Sequence, residues 1–285
     1  MANQTATTGE LENAAATVIA KVRYTAEHNA PCVNLIEQFT MGKGEKAITV
    51  PKVGQVNAHK LVDGVDLTET EDIGMSTTDL TTSEVGLKFI LTDRLVRQQV
   101  NNVWAMVGRQ GGDAIARIQD TDIIALFSGF SNTAGLATKG MSFANWSGCA
   151  AIIKNLKALP PVSCVHHPYA VYALMKSVSS VGSYPVPDGL SADLLKNFWA
   201  MTFDNIGVFH DGNIVPDASA DAVGAFFSKS ALGIVKSLAP TTEKERDASL
   251  RATELVYVTE YGVYELDDGQ GLAVTFDAAT PTTSA

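Results

Sequence analysis

One helical pattern constrains this chain more than any other feature. From Asp93 onward, Val96, Val100, Val103, Val107, Gly111, Ala114, Ile118 and Ala125 recur at three- and four-residue steps and hold one apolar face. Thr92 reads as the N-cap, and Asp93 stands in the first turn, where the helix dipole favours an acid. The pattern continues to residue 127, so about 35 residues at about 1.5 Å each predict a helix of about 50 Å. That is about three times the usual globular length. Arg109, Asp113, Arg117 and Asp120 fall mostly off the apolar face with alternating sign. Gly108, Gly111 and Gly112 each cost about 1 kcal/mol in a helix interior, which points to a bend or a close backbone approach.

A second oversized element precedes it. Residues 47–56 are β-prone, and 77–91 form a return run in which Val85, Leu87, Phe89 and Leu91 alternate with Glu84, Gly86 and Lys88. The pair predicts a two-stranded hairpin reaching roughly 45 Å at about 3.3 Å per residue. Such a ribbon is marginal in water alone and needs something to lie on. Its tip, residues 61–75, carries Asp63, Asp66, Glu69, Glu71 and Asp72 and no basic residue. Their spacing does not follow the calcium-loop ligand pattern. Arg94 and Arg97 open the long helix, where the dipole disfavours cations, so either an acidic partner or solvent faces them.

Elsewhere the pattern predicts a helix over 11–29, stopped by Pro31, and a mixed region after residue 141. That region reads as helices over 143–159, 168–178, 191–201 and 229–232, with strands over 162–166, 206–210 and 222–227. A β run over 255–266, a turn at Asp268-Gly269 and a return strand over 272–276 complete it. The fold class is therefore α+β.

The 285 residues carry 46% hydrophobic and 18% charged side chains, a globular composition with enough apolar surface for a sizeable core. A net charge of −10 argues against a nucleic-acid or anionic-membrane binder, which needs clustered Lys and Arg. No run of 18 apolar residues and no signal-peptide pattern is present, so a soluble protein of intracellular origin is expected. Cys32, Cys149 and Cys164 lie far apart, without the spacing of a zinc or disulfide framework. His166 and His167, adjacent on a strand, point to opposite faces and cannot readily chelate one ion. Cys164 beside them lacks a nucleophile-elbow motif and reads as a buried thiol. Gly108-Arg-Gln-Gly-Gly112 lies inside a helix and cannot be a dinucleotide loop. No catalytic, cofactor or metal residue is assigned. Elements too long for one domain to cover belong instead to an assembly.

In order along the chain, several segments resemble the major capsid proteins of tailed phages, those with the Hong Kong 97 fold. They are Gly42-Lys-Gly-Glu-Lys-Ala-Ile-Thr-Val-Pro51, Leu61-Val-Asp-Gly-Val-Asp-Leu67 and Ser83-Glu-Val-Gly-Leu-Lys-Phe-Ile-Leu-Thr-Asp93. Gly108-Arg-Gln-Gly-Gly-Asp-Ala-Ile-Ala-Arg117, Asp120-Thr-Asp122 and Ala225-Phe-Phe-Ser-Lys-Ser-Ala-Leu-Gly233 follow. Glu245-Arg-Asp247 and Thr253-Glu-Leu-Val-Tyr-Val-Thr-Glu-Tyr-Gly262 close the series.

The resemblance implies an N-terminal arm over 1–41, an extended loop over 42–91, and a peripheral-domain spine helix with its following loop over 92–140. An axial domain over 141–245 and peripheral-domain C-terminal strands and tail over 246–285 complete the set. It further implies hexamers and pentamers closing into an icosahedral virion shell around DNA, a portal, a separate scaffolding protein and room for a decoration protein. The loop would then lie on an adjoining subunit, with Arg94 and Arg97 receiving the charge of Asp63, Asp66, Glu69, Glu71 and Asp72. No Lys–Asn crosslink is assigned. The alternatives are an encapsulin-like compartment shell, which shares the fold, and a hydrolase using Cys164 with His166 or His167.

Overall fold

Period-two apolar runs build two unlike sheets from strands far apart in the sequence, and the long helix joins them. The computed structural model describes residues 31–282, except positions 55, 57, 62, 65, 67–69, 99–102 and 181–198. In chain order, α1 (Cys32–Leu35) and β1 (Glu37–Thr40) precede a ribbon of β2 (Ile48–Val53) and β3 (Met75–Leu80). Then β4 (Ser83–Thr92) runs into α2 (Asp93–Gln98) and α3 (Val103–Phe127). After β5 (Thr133–Gly135) come α4 (Phe143–Asn155), β6 (Val162–His166), α5 (Pro168–Ser180), β7 (Trp199–Phe203) and β8 (Ile206–His210). The chain closes with β9 (Asp221–Ser228), β10 (Leu232–Asp247), β11 (Ala252–Glu265) and β12 (Gly271–Asp277).

A four-stranded sheet has the order β1-β10-β11-β4, a six-stranded sheet the order β5-β12-β9-β6-β8-β7, and β2 pairs only with β3. Successive strand residues point to opposite faces. In the six-stranded sheet Cys164, Phe226, Leu272 and Val274 therefore pack on Trp146, Ile153 and Leu174 of α4 and α5. Their neighbours Val165, Phe227 and Ala273 pack on Ile123 and Phe127 of α3. Both faces are covered, which is why every residue of β6 is buried.

The buried stripe of α3 is Val103, Val107, Gly111, Ile115, Gln119, Ile123 and Phe127, a ladder of four-residue steps. Each step overshoots a full turn by about 40° at 3.6 residues per turn, so the stripe winds by about 240° along the helix. Its first half meets Leu255 and Tyr257 of the four-stranded sheet, and its end meets Phe227 of the six-stranded one. The face expected from the sequence is corrected accordingly. Ala114, Ile118 and Ala125 lie off the ladder, with Ile118 39% exposed, and Val100 lies outside the described residues. Gly111 marks the close approach: a Cβ there would stand 3.0 Å from the Tyr257 ring.

Other expectations also change. The return run 77–91 is two strands, because after Leu80 the chain leaves the ribbon and β4 pairs with β11, from Ala252↔Thr92 to Tyr261↔Ser83. The paired ribbon is six residues long, about 20 Å. The helix expected over 143–159 stops at Asn155, where Lys157 takes a left-handed φ of 59°. Residues 229–232 form a tight turn, closed by Ala231 N donating to Ser228 O at 2.9 Å, and not a helix. Of the helix expected over 191–201, its last part is strand β7 and the rest lies outside the described residues, as does the helix over 11–29. The 16-residue strand β10 was not expected at all.

Strand membership also cuts across the segment boundaries implied by the resemblance. Residues 232–265 form a hairpin in the four-stranded sheet, whereas Gly271–Asp277 joins the six-stranded sheet beside β9. The apolar run Leu272–Val274 needs cover on both faces, and only that sheet offers it. Among the described residues no helix is long and apolar enough to cross a membrane.

The winding ladder sets an expectation for stability. Phe127→Ala, which empties a fully buried ring site against Phe227, should lower the unfolding free energy by about 3–5 kcal/mol. Ile118→Ala should change it by about 0.5 kcal/mol or less, as at exposed positions. Urea denaturation of both variants measures the contrast, and equal losses would show that the expected face is the packed one.

Candidate assembly surfaces

The ribbon is anchored at one end only. At its root Ile48 and Val50 rest against Met41, Leu80 and Val235. Thr49 donates through Oγ1 to Asp79 at 2.6 Å, and Lys52 reaches Asp267 at 2.5 Å. Gly54 N donates to Gly74 O at 3.0 Å and closes the paired part. Met75 (63%) in its last pair and, beyond it, Leu61 (73%) and Ile73 (61%) are open to solvent. That much apolar surface on an outlying segment is a mark of an interaction surface.

The tip acids Asp63, Asp66, Glu71 and Asp72 are all exposed, and Glu69 lies outside the described residues. Glu71 takes a local partner, His59 Nε2, at 2.7 Å. Arg94 and Arg97 are exposed on α2, and Arg97 Nε donates to its own helix at Asp93 O, 3.2 Å away. Among the described residues no ion pair joins a tip acid to either arginine within one chain. Thr92 caps α2 as anticipated, its Oγ1 accepting from Leu95 N at 3.3 Å. The element that holds the helix start is Arg246 at the far end of β10, bonded bidentately to Asp93 at 2.7 and 2.8 Å. Hydrogen bonding by that guanidinium draws the Asp93 carboxyl below its usual range.

The residues that could have carried hydrolysis are packing groups. Burial pushes the Cys164 thiol far above its ordinary value and holds the His166 imidazole neutral, down to about 3. His166 Nδ1 accepts from His167 N at 2.8 Å, and its ring lies on the backbone at Gly224, where a Cβ would come within 2.4 Å. His167 Nδ1 accepts from Tyr169 N at 3.2 Å at the start of α5. Cys164 is thus not an activated nucleophile, nor is His166 a base open to solvent.

No protein-family model matches the chain, and no curated protein sequence matches it either. Solved structures do. A capsid of the native GTA particle superposes with a TM-score of 0.72 at 14% identity, over 92% of this chain and 95% of that one. A structure from Mycobacterium phage Che8 gives 0.70 at 14% identity, over 91% and 97%. The capsid of cyanophage P-SCSP1u gives 0.66 at 14% identity, over 98% and 97%. The chain has the phage-capsid fold.

Within this capsid fold one buried polar cluster had no sequence signal. Cys32 of α1, Asp120 of α3 and Asp211 after β8 are fully or almost fully buried, with ligand-type atoms all within 4.8 Å of one another. Cys32 N donates to Asp120 Oδ1 at 3.1 Å, and Cys32 Sγ lies 3.6 Å from Asp211 Oδ2. Asn213 donates through Nδ2 to Asp120 Oδ2 at 3.0 Å and through its backbone N to Asp211 Oδ1 at 2.8 Å. Burial first, and then the neighbouring Asp120, push the Asp211 carboxyl up to about 8. In the sequence Asp120 reads as a solvated helix residue and Asp211-Gly-Asn213 as a turn.

The Arg246 fork gives a direct test. In Arg246→Ala the Asp93 carboxyl should titrate at higher pH than in the wild type, followed by carboxyl-carbon NMR. The wild-type pair favours the folded state above the unfolded-state pKa, and that contribution is lost as pH falls through the depressed value. An unchanged Asp93 midpoint would show that the fork does not hold the helix start.

Proposed function

We propose that this chain is a phage major capsid protein that self-assembles into hexamers and pentamers closing into an icosahedral shell around phage DNA. The observation that carries this reading is the superposition on capsid structures, with 92% and 98% of the chain covered in the two named capsids. An incompletely covered ribbon supports it independently, since its apolar tip is exposed among the described residues. In this reading the protein acts structurally and not as an enzyme, and its place is the virion capsid after synthesis in the host cytoplasm. Neither the compartment shell nor the hydrolase gains support from these observations. A net charge of −10 favours enclosing DNA without sequence-specific binding, because tight lining contacts need clustered cations.

The proposal extends to parts and partners. Residues 1–41 serve as the arm, 42–91 as the extended loop, and 92–140 as spine and following loop. The axial segment is 141–245 and the peripheral one 246–285, except that 232–245 pair in the peripheral sheet and Gly271–Asp277 in the axial one. A separate scaffolding protein and a portal are the expected partners, with a decoration protein as an optional one. The tip acids Asp63, Asp66, Glu69, Glu71 and Asp72 lie in this reading near Arg94 and Arg97 of an adjoining copy. Each such exposed pair contributes about 0.2–1 kcal/mol and weakens with salt, but every subunit repeats it.

Cryo-electron microscopy and light scattering of the purified chain, with scaffold supplied, test assembly: closed particles are expected, and a persistent monomer would sink the capsid reading. Arg94→Glu with Arg97→Glu should reduce particle yield while circular dichroism stays that of the wild type. Reversing Asp63, Asp66 and Asp72 to Lys in that background should restore it. Normal assembly of the double variant at low salt would mean that the arginines are simply solvated.

A further inference from the structure

The cluster of Cys32, Asp120 and Asp211 joins three separate parts of the chain: the segment entering β1, the long helix, and the loop after β8. Two carboxyl groups this close, both out of water, cannot both be ionised without strong like-charge repulsion. The hydrogen bonds they accept favour the ionised form but do not outweigh burial and that repulsion. Donors reach all four carboxyl oxygens: Cys32 N and Asn213 Nδ2 for Asp120, and the Cys32 thiol and Asn213 N for Asp211. All four donors are neutral, so none cancels a second negative charge.

We propose that Asp120 and Asp211 share a single proton, and that this protonated pair clasps residues 31–36 to α3 and to the 211–214 loop, releasing them when the proton is lost. The inference is independent of the capsid reading, because it concerns only how the segment before β1 is held.

The surroundings favour a proton switch at this place. On α1 the facing group is the Cys32 thiol, itself raised by burial and by both carboxyls and therefore protonated. On α3 Asp122 is engaged elsewhere, accepting from Tyr261 OH at 2.5 Å, and Arg117 lies one turn earlier on the exposed side. From β6, His166 contributes its carbonyl, which accepts from Asp211 N at 3.0 Å, while its buried imidazole stays neutral. His210, next to Asp211 in the chain, is held below its ordinary value by burial. A carboxyl raised in the folded state stabilises that state fully below its unfolded pKa, and the contribution is lost as pH rises through the folded value. The clasp therefore tightens towards acid and loosens towards alkali.

The test combines two measurements on the full chain. Infrared spectra at neutral pH should contain the carbonyl band of a protonated carboxylic acid, absent in Asp211→Asn and in Asp120→Asn. Hydrogen exchange of the peptide over residues 31–41 is then compared, at each pH, with that of β6 in the same molecules, which cancels the intrinsic pH dependence. From about pH 6 to about pH 10, either side of an acid pushed up to about 8, this ratio should rise by about tenfold or more in the wild type. In Asp211→Asn, whose amide N–H replaces the acid proton, the ratio should stay flat. A wild type without the acid band, or with a flat ratio, overturns the proposal, whether or not the variants fold. Stoichiometric uptake of Zn²⁺ that Asp211→Asn abolishes would overturn it too, by placing a metal ion where the proton is assigned.

Discussion

A straight helix offers one face to one neighbour, yet α3 is held by two sheets. The four-residue ladder from Val103 to Phe127 meets this demand by turning as it rises, so that successive contacts address different partners. Tyr257 lies against Gly111 in the first half, and Phe227 against Phe127 at the end. The strand pairings join their members within each sheet only, so packing must couple the two. Beside α3, Leu232, Ile234 and Tyr261 of one sheet share a core with Val165, Ala225 and Phe227 of the other, and interior packing is dense enough to transmit strain between them.

Burial then sorts the polar groups into inert and available ones. The six-stranded sheet is covered on both faces, so any titratable group inside it must be neutral or internally bonded. His166 and Cys164 meet that condition, and their chemistry is suppressed by the same burial that makes them good packing residues. Charges open to water include those of the ribbon, of α2 and of the outer half of β10. The surface able to recognise anything is therefore the part that the cores leave uncovered.

Local signals were legible in the sequence where one physical effect dominated. Strands β6 and β8 match their expected limits, since strict β-propensity with turn residues on both sides leaves little room for slippage. The Thr92 cap and the Arg109–Asp113 pair at 3.7 Å were equally legible, the ribbon only in its existence, since its return strand ends at Leu80. Strand β10 was not, because Ser237-Leu-Ala-Pro240 reads as a loop and the residues beyond it are polar. Only pairing with β11, through two register shifts, makes that stretch a strand. The α3 face was misjudged because a periodicity count assumes one partner on one side. The Cys32 cluster was invisible for a different reason: it joins residues 88 and 179 positions apart, and no local pattern encodes such a meeting. The fold as a whole was legible from the order of its segments, the candidate site only as an excess of acids on the ribbon and two cations at a helix start.

Strand β1 covers β10 only from Gly233 to Lys236, and past that point the outer margin of β10 carries no strand among the described residues. A bare strand margin of this kind can pair with a second copy and polymerise into fibres. Three features of the stretch act against this. Pro240 lacks a donor, the irregular register twists the backbone, and Glu243-Lys-Glu-Arg-Asp247 would need a matching charge sequence in any strand laid beside it. The features that made β10 hard to recognise as a strand are thus the ones that keep it from recruiting another.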